Sequence, residues 1–383
     1  MNLNHINVIA RYEVKLVKRS WLFRIFAILA LLFISAIMLG YQTGIVNRMD
    51  NLWPRIAVSS LMPFCNTYFY NIAQSVIVVF LAGSFLKRDK KLDTAEVIYV
   101  RPMSNADYIV GKTWGIVKVF ITLNIITLLF TAFLNILINK SPFDLFPYLF
   151  YLLTISVPSL LFVLGLSFTA MCILKNQAVT FIVMLGIIGT VFFYLTDTLY
   201  GVFDFFGVNI PAIFSDVTGH ADLRLFLLQR FSYLLAGIGL ISMTIALVKR
   251  LPHKPWKIAV VYTFSSLFLL AACLGGLLYI LHYNHQLDLR NQYIMTFDKY
   301  ADVPHVDLLV NDISVTPQGH RLAGKSTVKV ANNNAKPLDK IIFYLNPELT
   351  VTSVEMAGKN LPFRRDHQVI EVDQPIQQQK SLR

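Results

Sequence analysis

The sequence predicts a membrane-embedded, all-α helical bundle followed by a small all-β module outside the cytoplasm. Three observations indicate this fold class. The 383-residue chain is 55% hydrophobic and only 15% charged, whereas soluble domains carry about a quarter charged residues. Its first 281 residues contain seven long apolar stretches, and near residue 308 the pattern changes to strand-like alternation. A multi-pass membrane protein with an appended β module accounts for all three.

A bilayer core about 30 Å thick is crossed by roughly 20 helical apolar residues. The stretches of that length are Trp21–Tyr41, Pro63–Leu86, Trp114–Ile138, Pro147–Leu174, Ala178–Leu195, Phe231–Val248 and Ile258–Leu281. We interpret the first as a true span rather than a secretory signal, because six more follow it. The first six predict one domain, residues 21–250. The seventh, residues 258–281, leads through a linker, residues 282–307, to the β module, residues 308–383.

The orientation follows from the positive charges in the connecting segments. The connecting segments predicted to be cytoplasmic hold fifteen Lys and Arg residues, and the loops between spans that are predicted to lie outside hold five. By the positive-inside rule, the N-terminus is cytoplasmic, and seven spans place the C-terminus outside the cytoplasmic membrane. The net charge of +12 is concentrated at the ends of apolar stretches. It therefore indicates a lipid bilayer as partner and no nucleic acid.

The first 20 residues predict a basic amphipathic helix on the cytoplasmic membrane surface. Its apolar residues are Ile9, Tyr12 and Leu16, and its basic residues are Arg11, Lys15 and Lys18. A merely solvated basic N-terminus is the alternative interpretation.

Polar residues inside the spans are candidates for function because their burial in lipid is unfavourable. Thr67, Asn71 and Gln74 share one face of the second span, and Asn124 lies in the third. They predict either a translocation path or a dimer interface, while hydrogen bonding between helices is an open alternative. Pro158 predicts a kink in the fourth span. The aromatic-rich segment between spans five and six predicts short interfacial helices at the outer surface.

The longest cytoplasmic loop, residues 87–113, mixes both signs of charge with apolar residues. Pro102 interrupts any helix there, and Ser104 or Asn105 can cap a new helix that starts near Ala106. We therefore expect a compact docking element that transmits motion from a soluble partner.

This loop, the basic N-terminus and the six spans together resemble the permeases of type-2 ABC exporters over residues 1–250. The matching loop positions are Asp93, Glu96, Arg101, Pro102, Ser104 and Lys112. The resemblance implies that these residues contact an ATP-binding subunit on another chain. It also implies a dimer with a second permease protomer, identical or different, and ATP bound by the partner rather than by any cofactor site in this chain. In that family, the segment between spans five and six carries re-entrant or gating helices.

In the C-terminal region, apolar and polar residues alternate along short stretches, and turn-forming residues separate these stretches. The predicted strands are Asp307–Thr316, Ser326–Ala331, Lys340–Leu345, Thr350–Met356 and Gln368–Val372. Their order, with N-N-x-x-x-P-L and S-V-x-x-x-G-x-x-L segments, is similar to the opening sheet of aminopeptidase N-type (gluzincin) metalloproteases. No H-E-x-x-H motif is present, so we expect neither a zinc site nor catalytic residues. We expect an incomplete module, the front part of a permease–peptidase fusion.

The segment GHRLAGKS matches the P-loop pattern G-x-x-x-x-G-K-[ST]. The matching residues are Gly319, Gly324, Lys325 and Ser326. A P-loop needs a following helix whose N-terminal amides hold the phosphates. The alternation after Ser326 predicts a strand instead, so we interpret the match as a turn between strands and expect no nucleotide site.

These observations favour a transport subunit, the membrane half of an ABC exporter with an unidentified substrate and no enzymatic activity of its own. The alternative is a membrane-anchored metallopeptidase-like or peptide-binding protein whose catalytic part is missing from this chain. A third possibility is a channel or sensor that does not use ATP. Seven spans are more than an anchor requires, and a channel does not account for the loop motif.

Overall fold

The computed structural model describes residues 2–42, 59–83, 103–138, 143–208, 213, 219–220, 222–248, 255–318 and 321–378. The chain divides into two compact units, Met1–Leu281 and His282–Arg383. The first is helical, and the second consists of the end of a helix followed by short strands.

Nine α-helices form the helical part that is described. They are α1 (Leu3–Arg19), α2 (Trp21–Gln42), α3 (Leu61–Gly83), α4 (Asn105–Ile138), α5 (Phe146–Tyr151), α6 (Val157–Leu174), α7 (Gln177–Thr190), α8 (Leu223–Leu247) and α9 (Pro255–Tyr300). Six helical segments are long and apolar enough to cross a membrane, or seven if α1 and α2, which meet at a 70° bend, count as one span. The composition and helix lengths are those of a multi-pass membrane protein.

Three helices extend beyond the predicted spans. Helix α4 begins at Asn105 rather than Trp114, α8 begins at Leu223 rather than Phe231, and α9 continues to Tyr300. Most of the predicted linker, residues 282–307, is therefore helical, as far as Tyr300. The sequence contains no Gly or Pro between residues 282 and 300, so no residue breaks the helix where the apolar stretch ends.

The fourth span is irregular near Pro158, where the sequence predicts a kink. A π-helix, Leu152–Ser156, separates α5 from α6, and the Val157 amide donates to the Leu152 carbonyl. Pro158 has no N–H, and its ring crowds the carbonyl four residues earlier, so a wider turn accommodates it. A second π-helix, Val191–Leu195, extends α7.

The N-terminal helix is present, but its packed face differs from the predicted one. The residues of α1 that are buried are Ile6, Ala10, Glu13 and Val17. Tyr12, predicted to be on the apolar face, is 58% exposed. The buried face is set by the helix against which α1 packs, which the sequence alone does not show. The position of α1 on the membrane surface stays a prediction.

The described residues of the C-terminal unit form three small antiparallel sheets. Strands β1 (Asp307–Gln318) and β2 (Arg321–Ala331) pair as a hairpin, β4 (Glu355–Met356) pairs with β5 (Lys359–Asn360), and β3 (Ile341–Tyr344), β7 (Val369–Val372) and β6 (Phe363–Asp366) form a sheet in that order. The predicted strand Thr350–Met356 is reduced to its last two residues. The end of α9 packs on the three-stranded sheet, where Tyr300, Ile342 and Val369 form a buried cluster.

Candidate functional site

The segment that follows the second π-helix is partly buried in the helical bundle, while its Leu199 and Phe203 side chains are exposed. A 3-10 turn, Thr198–Gly201, is followed by Asp204, Phe205 and Phe206, each at most 2% exposed. The expectation of interfacial helices at the outer surface was therefore wrong for these residues. Residues 209–212, 214–218 and 221 of the same loop lie outside the described residues.

The main-chain carbonyls of this buried segment are bound by side chains from four helices. The donors and acceptors are Tyr279 Oη to Tyr200 O (2.9 Å), Gln229 Nε2 to Gly201 O and Asp204 O (both 3.0 Å), Tyr233 Oη to Val202 O (2.6 Å), Ser159 Oγ to Phe205 O (2.5 Å) and Asn71 Nδ2 to Phe206 O (3.2 Å). Asn71 lies ten residues inside α3, about 15 Å along its axis. Irregular backbone at such depth is stable only where protein groups replace the hydrogen bonds of a helix.

Arg230 supplies the one positive charge described among these donors, and it is only 1% exposed. Its Nη1 donates to the Phe205 carbonyl (3.2 Å), its Nη2 to the Asp204 carbonyl, and its Nε to Gln229 Oε1 (2.5 Å). The Asp204 carboxylate brings a negative charge near the guanidinium. Hydrogen bonds and a nearby countercharge together offset the unfavourable burial of this cation.

The Asp204 carboxylate also shapes the segment itself. It accepts hydrogen bonds from the backbone amides of Phe206 (3.0 Å), Gly207 (2.9 Å) and Val208 (2.5 Å). Gly207 has φ +84°, and a Cβ there would lie 3.0 Å from Arg230 Nη1. Only glycine fits this close, left-handed turn without displacing the guanidinium.

The start of the segment is conformationally strained. Leu199, Tyr200 and Gly201 have φ values of 49°, 60° and 81°. A non-glycine residue in this region is unfavourable by roughly 1–3 kcal/mol and persists only where its surroundings hold it. The bonds to the carbonyls of Tyr200 and Gly201 provide that restraint.

The polar residues predicted on the second and third spans connect to this segment. Gln74 Nε2 donates to Asn71 Oδ1 (2.5 Å), and Asn124 Nδ2 donates to Gln74 Oε1 (3.2 Å). All three amides are at most 2% exposed. They link α4 through α3 to the Phe206 carbonyl, and none faces outward where a second protomer would contact it in this structure. Thr67 is buried as well, and its hydroxyl has no hydrogen-bond partner among the described residues.

At the predicted cytoplasmic end, a capping box begins α4. The Asp107 amide donates to Ser104 Oγ (3.0 Å), and the Ser104 amide donates to Asp107 Oδ2 (3.2 Å). The predicted cap at Ser104 is thereby confirmed. Asp107 Oδ1 also accepts from the Asn2 amide (2.9 Å), so one carboxylate holds the first residues of α1 and α4 together.

Two glycines let α1 and α4 approach closely. A Cβ on Gly111 would lie 2.8 Å from Ile9 Cβ, and one on Gly115 would lie 2.7 Å from Glu13 Cβ and 2.9 Å from the Ala10 carbonyl. This is the small-residue packing common between membrane helices.

Lys112 lies between the two glycines and is only 5% exposed. Its Nζ is 3.9 Å from Glu13 Oε2 and 5.0 Å from the centroid of the Tyr108 ring. Lys112, predicted to contact an ATPase subunit, is therefore buried against α1 and offers no exposed surface for that contact in this structure. The other predicted contacts, Asp93, Glu96, Arg101 and Pro102, lie outside the described residues.

The P-loop-like segment has the predicted strand context. Gly324, Lys325 and Ser326 lie within β2, paired with Val315, Ser314 and Ile313 of β1. The strand continues to Ala331, where a P-loop would have a helix. Gly319 lies outside the described residues.

Sequence reasoning identified Asn71, Gln74 and Asn124 but missed Arg230. Arg230 could have been recognised as a charged residue next to a long apolar stretch. The predicted sixth span began at Phe231, one residue too late to include it. Within the described ranges, no group of three or more His, Cys, Asp or Glu side chains is placed to hold a metal ion. No family model matches the chain, and a search of curated proteins also finds no match.

Proposed function

We propose that this chain is the transmembrane permease subunit of an ABC exporter. It moves a substrate across the cytoplasmic membrane, works as a dimer with a second permease protomer, and uses ATP hydrolysed by a separate subunit. The N-terminus is cytoplasmic. The C-terminal unit lies outside, and its relation to the opening sheet of gluzincin peptidases stays a prediction from the sequence.

The observation that carries the proposal is the close junction of α1 and α4 directly after the predicted docking loop. A loop transmits motion to a bundle only if it is joined to the spans without slack. The capping box at Ser104 starts α4 two residues after Pro102, and Gly111 and Gly115 seat α1 against it. The contact of the loop with an ATPase subunit would therefore act on α1 and α4 as one body.

Helix α4 also connects this junction to the buried segment. It carries Asn124, which bonds to Gln74, and Gln74 bonds to Asn71, the donor to the Phe206 carbonyl. Helix α4 and this set of hydrogen bonds thus join the predicted cytoplasmic end to the segment within the bundle. This connection supports a role in which events at the loop change the position of that segment.

Co-purification tests the partner. The full chain, solubilised in detergent, should retain the ATP-binding cassette protein encoded by a neighbouring reading frame. Arg101→Glu should greatly reduce its recovery because the charge in the docking loop is reversed. Arg48→Glu, in a loop predicted to face outside, is the matched control and should leave recovery unchanged. A wild-type chain that recovers none of this protein, or equal losses in both variants, would contradict the proposal.

The orientation has a separate test. Alkaline phosphatase is active only outside the cytoplasm, so a fusion after Arg383 should be active and a fusion at Lys254 inactive. The reverse pattern would place the docking loop on the wrong side of the membrane and remove the basis for the proposal.

A further inference from the structure

The side chains around the buried segment form a set of hydrogen-bond donors, which we call the Arg230 cradle. Its members are Asn71, Ser159, Gln229, Arg230, Tyr233 and Tyr279. Each donates to at least one main-chain carbonyl oxygen in Tyr200–Phe206. The cradle thus presents amide, hydroxyl and guanidinium N–H and O–H groups to one short stretch of acceptors, in a region shielded from water.

We propose that the Arg230 cradle is a binding site for a phosphate group with a net negative charge, and that residues 200–207 occupy it as an internal substitute. As an assignment of the substrate class, this inference rests on the proposed function, but the binding itself requires no ATPase subunit.

The chemistry of the occupant supports the assignment. The segment presents six bound carbonyl groups, together with the negative charge of Asp204 near Arg230. Acceptor oxygens with a negative charge are what a phosphate group supplies. The planar fork of Arg230 matches such groups bidentately.

An anion fits better than a neutral ligand because the positive charge of Arg230 stays in the bundle when the segment leaves. Displacement of residues 200–207 moves Asp204 away from Arg230. A guanidinium left in the bundle without a countercharge is strongly unfavourable. A neutral ligand would satisfy its N–H groups but not its charge, whereas an anion satisfies both.

The ends of the segment are suited to its displacement. Leu199, Tyr200 and Gly201 are left-handed at one end, and Gly207 is left-handed at the other. The strained conformation is kept by the bonds that the segment makes in the cradle. Once an anion takes over those donors, the restraint on both ends is removed, and the stretch between them leaves as one piece.

Hydrogen–deuterium exchange on the full chain tests this inference. Phe206 and Gly207 are buried in the seated segment. Their backbone amides, and that of Val208, therefore become exposed to water when the segment leaves, and faster exchange at these amides reports that exposure. Nanodiscs of phosphatidylcholine are compared with nanodiscs that also contain phosphatidylglycerol, and in a second arm with soluble glycerol phosphate. We expect exchange at these amides to rise in at least one arm.

The two arms distinguish the source of the anion. A rise with phosphatidylglycerol alone identifies a lipid headgroup, and a rise with glycerol phosphate identifies a free phosphate group. Unchanged or slower exchange in both arms overturns the inference. Because this comparison uses only the wild-type chain, it decides the question even if variants of the cradle fail to fold.

Variants sharpen the result. Arg230→Gln should weaken the apparent affinity for the anion by about tenfold or more, since charge-assisted hydrogen bonds are each worth at least that factor. Asp204→Asn should strengthen it, because the internal competitor loses its charge. Lys257→Gln removes an exposed cation at the start of α9 and should leave the response unchanged. A loss in Lys257→Gln equal to that in Arg230→Gln would show nonspecific attraction and overturn the inference. No ATPase subunit is present, so failure here leaves the proposed function untouched.

Discussion

Two buried cations, Arg230 and Lys112, are stabilised in different ways. Arg230 donates to three acceptors and holds an irregular stretch of backbone. Lys112 lies 3.9 Å from one carboxylate oxygen and over one aromatic ring, between two regular helices. Around Arg230, directed hydrogen bonds replace those of a helix. Around Lys112, the close approach of glycines to α1 determines the packing. Loss of donors should therefore matter most at the first site, and added volume most at the second.

The largest effect is expected when Arg230 is replaced. Arg230→Gln leaves the carbonyls of Asp204 and Phe205 without the guanidinium donors. We expect the free energy of unfolding to fall by roughly 2–4 kcal/mol, since two hydrogen bonds from a charged donor, each worth about 1.5–3 kcal/mol, are lost, while Gln229 and Ser159 still bind the two carbonyls. Unfolding by dodecyl sulfate in mixed micelles measures the change. Arg224→Gln, an exposed position on the same helix, is the control, and equal losses at both positions would refute the difference between the two sites.

Added volume at the α1–α4 contact should have the next largest effect. A methyl group on Gly115 would meet Glu13 Cβ and the Ala10 carbonyl at less than 3.0 Å. Gly115→Ala should destabilise the chain by about 1–3 kcal/mol because both helices must move apart.

Gly186 provides the matched control for this substitution. It lies in α7, and a Cβ there would meet no atom within 4 Å among those described. Gly186→Ala should be neutral or stabilising by up to about 1 kcal/mol, through helix propensity alone. If Gly115→Ala is also stabilising in the same unfolding assay, the close packing of α1 on α4 is incorrect.

The ion pair at the second site should contribute less than its packing. Lys112→Met and Glu13→Gln, alone and combined, form a double-mutant cycle. We expect a coupling energy of about 0.5–1.5 kcal/mol, because 3.9 Å is a long separation but the pair is shielded from water. A coupling near zero would mean that the two side chains are neighbours without a mutual interaction.

A pH dependence in the C-terminal unit should be the smallest effect. The hydrogen bond from Lys299 holds the pKa of Asp366 below its ordinary value of 3.8, and the hydrogen bond from Tyr300 holds the pKa of Glu371 below 4.5. Carboxylates with lowered pKa values stabilise the folded unit above those ordinary values, and this contribution is lost as the pH falls through the lowered ones. The groups are partly exposed, so the loss is modest.

Amide protection factors of β6 and β7, corrected for the intrinsic pH dependence of exchange, measure this effect. They should be constant near neutral pH and decline below about pH 4, where the carboxylates begin to bind protons. Lys299→Gln should shift the onset of the decline to higher pH. Protection that increases on acidification would show that these carboxylates do not stabilise the sheet.

The sequence predicted the spans well and the start of α4 from its cap, but hydropathy alone placed the helix ends poorly. Apolar composition marks the part of a helix that lies in lipid, while a helix ends at a cap or a breaker. Helix α4 therefore begins at the Ser104 cap, and α9 continues to Tyr300 through residues that contain no breaker. The positions of helix ends depend on local chemistry that hydropathy does not measure.

The candidate site was only partly predictable. Asn71 and Gln74 share a helical face, which the sequence reveals at once. The hydrogen bond from Asn71 to the Phe206 carbonyl joins residues that are 135 positions apart. No rule of sequence spacing predicts such a contact. The burial of Lys112 likewise depends on Gly111 and Gly115 facing α1. Both features depend on tertiary contacts, which cannot be read from the pattern of a single sequence.

The central claim, that a separate ATPase drives this chain, is tested most directly by ATP hydrolysis in vesicles. The full chain and the cassette protein encoded by a neighbouring reading frame are reconstituted together, and the rate of hydrolysis is compared with that of the cassette protein alone. We expect a higher rate with the wild-type chain and no increase with Arg101→Glu. A rate that the wild-type chain leaves unchanged would contradict it.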